Sequence, residues 1–195
     1  MSEWKEQSKM VIRNLRELAA LTSDENGAHR VAWTPVWDKA LEWFKEKMEK
    51  EGAEITVDSA YNIFAKIPGE TDEAVCFGSH LDCVPNGGWL DGALGVVSGV
   101  LHRYGLNGKK PKKTIYVVNW ADEEGARFGR SCIGSSAVSG ALDVEEASRL
   151  TDIDGISLSE ALQRYHLDIH DFPKAKKEFQ DKKIKAYLEL HIEQA

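Results

Sequence analysis

Hydrophobic positions recur at helical spacing from residue 3 to residue 21, where Trp4, Val11, Ile12, Leu15, Leu18 and Ala19 share one side of the chain. The same period returns in "TPVWDKALEWFKEKMEKEG", residues 34–52. There Thr34 suits an N-cap, Pro35 the first helical position and Gly52 a C-terminal stop. Trp37, Ala40, Leu41, Phe44 and Met48 form its apolar stripe, the face such a helix turns to a core.

Past residue 52 the pattern shortens to strands, at "AEITVDS", "NIFAKIP" and "AVCFGSH". The run from Ala93 to Leu106 is apolar nearly all round and predicts a helix buried beside a sheet. "TIYVVNWA" is rich in β-branched residues and reads as a central strand. Ser157 with Glu160 makes a capping box that opens a further helix, and "KAYLELHIE" predicts a closing strand. Strands alternating with helices indicate an α/β layer fold with a mostly parallel sheet.

Composition narrows the function classes. A chain of 195 residues, 42% of them hydrophobic, can bury one sizeable core. A net charge of −7 argues against a nucleic-acid partner held through phosphates, and the basic run Lys109–Lys113 reads as a solvated turn. No apolar stretch is long enough to span a bilayer, so no membrane partner is expected. Three unpaired cysteines, Cys76, Cys83 and Cys132, and an N-terminus without an apolar signal core point to a reducing, cytoplasmic setting. Cys83, close to His80, reads as a small core residue.

Three polar clusters remain: "GSHLDCVPNGGWLDGALG" with His80, Asp82 and Asp91, "ADEEGARFG" with Asp122, Glu123 and Glu124, and the terminal "LELHIEQA" with His191 and Glu193. Each follows a predicted strand, and strand ends in an α/β sheet gather on the edge where ligands bind. Imidazole nitrogens with carboxylate oxygens suit zinc, manganese or cobalt. Asp82, two residues after His80, could accept the ring N–H that fixes the histidine's tautomer. Glu123 and Glu124 can diverge in a loop, one binding metal and the other handling protons. His166 and His170, at i and i+4, have no supporting motif, and His29 and His102 read as structural.

The segments "GSHLDCVPNGGWLDGALGV", "DEEGARFGRSCIGSSAVSG" and "YLELHIEQ" resemble the metal-site signatures of M20-type metal-dependent amidohydrolases. The resemblance is strongest to the hydantoinase/carbamoylase branch of N-carbamoyl-L-amino acid hydrolases and allantoate amidohydrolases, and it runs from about His29 to the last residue. It implies a three-layer α/β sandwich with a mostly parallel mixed sheet, residues 1–195 forming the N-terminal portion of the catalytic domain. It places His80, Asp91, Glu124 and His191 on metal-ligand positions, with Asp91 shared by two ions. Asp82 falls on the position that orients the histidine, Glu123 on the general base, and Gln194 beside the substrate. The implied cofactor is a pair of divalent ions, Zn2+ first, with Mn2+, Co2+ or Ni2+ as alternatives. The implied substrate is a small N-carbamoyl or ureido acid, with peptide hydrolysis as a further alternative.

Cys83 replaces a small hydroxyl residue, Tyr61 stands where a glycine commonly precedes Asn62, and Ala195 stands where the family continues with glycine. The family then carries a lid and dimerisation domain and a final catalytic segment that supplies one more histidine. Without them the second ion is expected to bind weakly, the chain to be inactive alone, and exposed edges to favour self-association. The competing reading is a catalytically silent module that binds metal or associates with itself.

Overall fold

The computed structural model describes residues 3–100 and 109–192. Helix α1 spans Glu3–Thr22, and the hairpin of β1 (Ser23–Asp24) and β2 (Gly27–Ala28) follows it. Val11, Leu15 and Leu18 turn inward, while Ile12 remains 48% exposed, so the apolar side of this helix is narrower than its sequence suggests. Helix α2, Pro35–Lys50, starts as its end signals require: the Thr34 hydroxyl accepts from the Trp37 N–H, and Pro35 occupies the first turn. Its stripe of Trp37, Ala40, Leu41, Phe44 and Met48 is buried.

Strands β3 (Glu54–Val57), β4 (Ile63–Ile67), β5 (Thr71–His80), β6 (Lys113–Trp120) and β7 (Ile184–Leu188) make a mixed sheet in the order β3-β4-β6-β5-β7. β4 pairs antiparallel with both β3 and β6, while β5 pairs parallel with β6 and β7. Four strands therefore point one way and β4 alone is reversed. The connection from β5 to β6 contains α3, Ala93–Val100, and residues 101–108 of the expected helix lie outside the described residues.

The remaining helices are short: α4 (Ile133–Ser139), α5 (Val144–Ala147), α6 (Leu158–Gln163) and α7 (Lys174–Asp181). Both halves of the Ser157–Glu160 capping box are formed at the start of α6. The main core lies under one sheet face, where Ile63, Ala65, Ile67, Ile115 and Val117 meet α1, α2, α3 and the later helices. On the other face Phe64, Ala74, Cys76, Tyr116 and Val118 pack under Phe179 of α7 and Ile184. Alternation along β4 and β6 thus feeds two cores, as a sheet covered on both sides requires. Among the described residues, no helix is long and apolar enough to cross a membrane.

Candidate metal centre

The parallel trio β6-β5-β7 decides where the polar clusters meet. His80 is the last residue of β5 and lies opposite Trp120, the last residue of β6, so "ADEE" leaves the sheet beside His80. β7 is shorter than expected: its pairing with β5 stops at Leu188 opposite Phe77. Beyond that point the Glu189 carboxylate accepts from the Ser79 hydroxyl at 2.5 Å and from the Tyr187 hydroxyl at 2.7 Å. This anchors the segment that carries His191 to a place beside the His80 ring at the end of β5.

His80, Asp91 and His191 each present one ligand atom, and these three atoms lie within 4.8 Å of one another. The His191 Nε2 is 3.5 Å from Asp91 Oδ1, and the two imidazoles stack with centroids 5.8 Å apart. His80 is buried, its Nε2 has no hydrogen-bond partner, and the Glu123 carboxylate lies 3.5 Å from that atom. Gly92 makes room for this ring. With φ at +60°, it sits so close that an added Cβ would meet the His80 carbonyl oxygen at 2.4 Å and the ring atoms Cε1 and Nδ1 at 2.6 Å.

The carboxylates divide as a loop permits. Glu123 faces His80, whereas Glu124 hydrogen-bonds Asp91 and donates its backbone N–H to Asp82 Oδ2 at 3.0 Å. Asp82 lies beyond the end of β5, so strand alternation no longer aims its side chain. The closest partner of His80 Nδ1 is the Asp82 main-chain oxygen at 3.1 Å, and the carboxylate is 3.6 Å away.

Burial raises Glu124, and the hydrogen bond and charge of Asp91 add to this, taking it to about 7. Burial alone would pull the His80 imidazole down, but Asp82, Glu123 and Asp91 outweigh it and hold it at about 9. Both shifts favour the protonated form amid clustered carboxylates, where a divalent cation would supply equivalent charge. Two imidazoles, a buried carboxylate and a bare imidazole nitrogen fit a borderline ion such as zinc.

The acidic turn has further support. Asp122 is fully buried, with φ at 53°, and its Oδ2 accepts from the Trp33 indole N–H at 2.6 Å. Burial, with the charge of Asp82 adding, holds its carboxyl well above the ordinary range. Asn62 braces the end of β6: its Oδ1 accepts from the Ala121 N–H at 3.0 Å and its Nδ2 donates to the Gly134 carbonyl at 3.1 Å. Tyr61, before it, is held at φ 66° and packs its ring against Trp33, Trp37 and Tyr165.

Arg30 is buried, giving its Nε to the Leu81 carbonyl at 2.7 Å beneath the His80 loop. Spacing singles out neither Arg30 nor Trp33, because each sits in a loop where no period announces burial. His166 and His170 lie away from this group, in a turn and a short 3-10 helix, and His29 pairs with Asp24 at 2.8 Å. Cys83 is buried, as expected of a small core residue. Gln194, Glu193 and His102 lie outside the described residues.

The chain belongs to Peptidase family M28, whose model matches residues 62–192 and so takes in the strand ends described above. That family name differs from the M20-type label, while the branch suggested by the motifs is matched closely. The chain is 37% identical to the N-carbamoyl-L-amino acid amidohydrolase of Geobacillus stearothermophilus, over 96% of this chain and 46% of that one. It is 34% identical to the allantoate amidohydrolase of Bacillus subtilis, over 88% of this chain and 42% of that one. A crystal structure of a hydantoinase/carbamoylase family amidase from Burkholderia ambifaria superposes with a TM-score of 0.73 at 33% identity, covering 79% of this chain and 39% of that one. The chain therefore spans less than half the length of these relatives, which are hydrolases of amide-type bonds.

Proposed function

We propose that this chain is the N-terminal catalytic portion of a metal-dependent amidohydrolase that cleaves N-carbamoyl-L-amino acids. The observation that carries the reading is the convergence of His80 at the end of β5, Asp91 in the loop before α3 and His191 just beyond the end of the parallel neighbour β7. His80, Asp91 and His191 would hold one divalent ion, and Asp91 with Glu124 would contribute to a second. Zinc is the best match to this donor set. Bound ions of this kind acidify a water molecule and polarise the scissile carbonyl.

The residues of the chain do the rest. Glu123, about one-third exposed and beside the free nitrogen of His80, is placed to take the proton of the attacking water and return it to the leaving nitrogen. The Asp82 main-chain carbonyl fixes His80 Nδ1 as a donor and so presents Nε2 to the ion, while its carboxylate holds the Glu124 backbone. Gln194 is assigned to the substrate. The likeness to an allantoate amidohydrolase supports a ureido acid such as allantoate as a second substrate reading.

Turnover by these 195 residues alone is not expected, since they cover less than half of the relatives' length and leave the second ion short of ligands. Calorimetric titration of the metal-free chain with Zn2+, with bound metal counted by mass spectrometry, tests the site. Glu123→Gln should leave uptake within about twofold, whereas Glu124→Gln should lower affinity by about tenfold or more. Equal loss in both variants, or no Zn2+ uptake by the parent chain, would refute the assignment. Metal-dependent ammonia release from an N-carbamoyl amino acid would refute the inactivity of the isolated chain.

A further inference from the structure

We propose that Trp33 is a positioning residue for the acidic turn: its indole N–H fixes the Asp122 carboxylate, and Asp122 in turn fixes the main chain that projects Glu123 and Glu124. The consequence for metal rests on the function proposed above, whereas the positioning itself does not.

Trp33 and Asp122 are both buried, and both adopt a left-handed backbone, with φ 63° and 53°. Non-glycine residues persist there only where their surroundings over-determine them. For Trp33 the constraints are visible. Arg127 donates Nη1 to its carbonyl at 2.5 Å while its Nε is held by Asp152 at 2.9 Å. The rings of Trp37, Tyr61 and Tyr165 enclose the indole, with centroids 4.9, 5.9 and 5.4 Å away. The indole therefore cannot swing, and its N–H points at one atom, Asp122 Oδ2.

Asp122 then acts as a clasp. Held by Trp33, Asp122 opens the turn that carries Glu123 and Glu124. Its main-chain carbonyl accepts from the Ile133 N–H at 3.1 Å. From the other side, Asp82 holds the Glu124 N–H. The two glutamates are thus bracketed, and one end of the bracket is set by Trp33.

A bulky core residue would also fill this site, but phenylalanine would fill it nearly as well. The neighbouring Trp37 makes the distinction. It sits in the same aromatic cluster with its Nε1 buried and without a hydrogen-bond partner, so an indole here need not be paired. Trp33→Phe and Trp37→Phe remove comparable ring area from one cluster, and only the first removes the bond to Asp122.

Amide hydrogen exchange read by NMR on the metal-free chain provides the test. Trp33→Phe should speed exchange at Glu124 and Ile133, whose N–H groups bond Asp82 and the Asp122 carbonyl, by about tenfold, the scale of one lost buried hydrogen bond, and Trp37→Phe should leave both unchanged. Arg127→Gln, which releases the Trp33 carbonyl together with Asp152 and the Phe128 ring but leaves the indole in place, should act in the same direction and remains informative if Trp33→Phe fails to fold. In an Asp122→Asn background, Trp33→Phe should add nothing at these two amides. Titration with Co2+, followed by its visible absorption, should show affinity about tenfold weaker in Trp33→Phe and unaltered in Trp37→Phe. Unchanged exchange at Glu124 and Ile133 in Trp33→Phe or Arg127→Gln would overturn the proposal. If the parent chain takes up no Co2+, the metal assignment fails, and the exchange data still decide the role of Trp33.

Discussion

Replacing Gly92 by alanine tests the link between the fold and the proposed metal centre. Two costs add at this position. Holding a Cβ-bearing residue at φ +60° costs ~1–2 kcal/mol. The new methyl would also lie 2.4 Å from the His80 carbonyl oxygen and 2.6 Å from two atoms of its ring. The carbonyl belongs to the end of β5 and the ring is buried, so neither yields easily, and overpacking of this kind adds ~1–3 kcal/mol.

Gly155→Ala is the matched control, because Gly155 has φ +79° and an added methyl there would meet nothing within 4 Å. It should show the backbone cost alone. For a chain of this size about 1 kcal/mol shifts Tm by ~2–4 °C. Gly155→Ala should therefore melt a few degrees below the parent, and Gly92→Ala should melt lower still by a similar amount. Zn2+ affinity should also fall in Gly92→Ala, since the methyl displaces the imidazole, and stay unchanged in Gly155→Ala. Equal melting of the two variants, or parental Zn2+ affinity in Gly92→Ala, would refute the claim that Gly92 exists to seat His80.

Three further outcomes are expected. Burial holds the Asp58 carboxyl at about 6, against the pull of hydrogen bonds from Asn62 and Ala60, so the folded chain keeps this proton where the unfolded chain has lost it. Its stabilising contribution is complete below about pH 4 and lost as pH rises through 6, worth up to ~3 kcal/mol. Denaturant melts across that range should show the stability gap between parent and Asp58→Asn narrowing as pH rises, and a constant gap would contradict this. Tyr61→Gly should destabilise by ~1–3 kcal/mol in spite of relieving φ 66°, because the loss of aromatic packing outweighs the backbone strain removed; a raised Tm would reverse that balance. Among the described residues β7 pairs through β5 alone and leaves Tyr187, Leu188 and Leu190 exposed, so light scattering should find the chain self-associated at high concentration, and a strict monomer would argue against edge pairing.

What can be read from the sequence follows from how local each signal is. The stripe of α2 and its Thr34 cap depend on residues within a turn or two of one another, and both appear as expected. The clusters after β5 and β6 are legible because strand ends punctuate the pattern and parallel strands share an edge. β7 ends earlier than its sequence predicts, since nothing in "LELHIE" announces that the ladder stops at Leu188 and that Ser79 bonds the Glu189 side chain beyond it. The short helices α4, α5 and α7 pass unread because their signals are brief: an Asp143 cap before α5, Gly140 after α4, and Ala175 with Phe179 four residues apart in α7. Trp33, Arg30 and Asp58 gain their meaning from partners distant in sequence or from burial, and single-residue types carry no trace of either.

The order of the chain gives the site a history. His80 and Asp91 lie near its middle, while His191 arrives on the far side of β7, which among the described residues joins the sheet only along β5. During synthesis α1, α2 and strands β3 to β6 can condense first, burying most of the main core before the second imidazole has left the ribosome. On the proposed reading, metal capture would then be a late event that waits on the docking of one edge strand, a pairing of high sequence separation and correspondingly slow closure. An ion gripping His80 and His191 together would act as a latch, holding β7 against a sheet that could otherwise shed it.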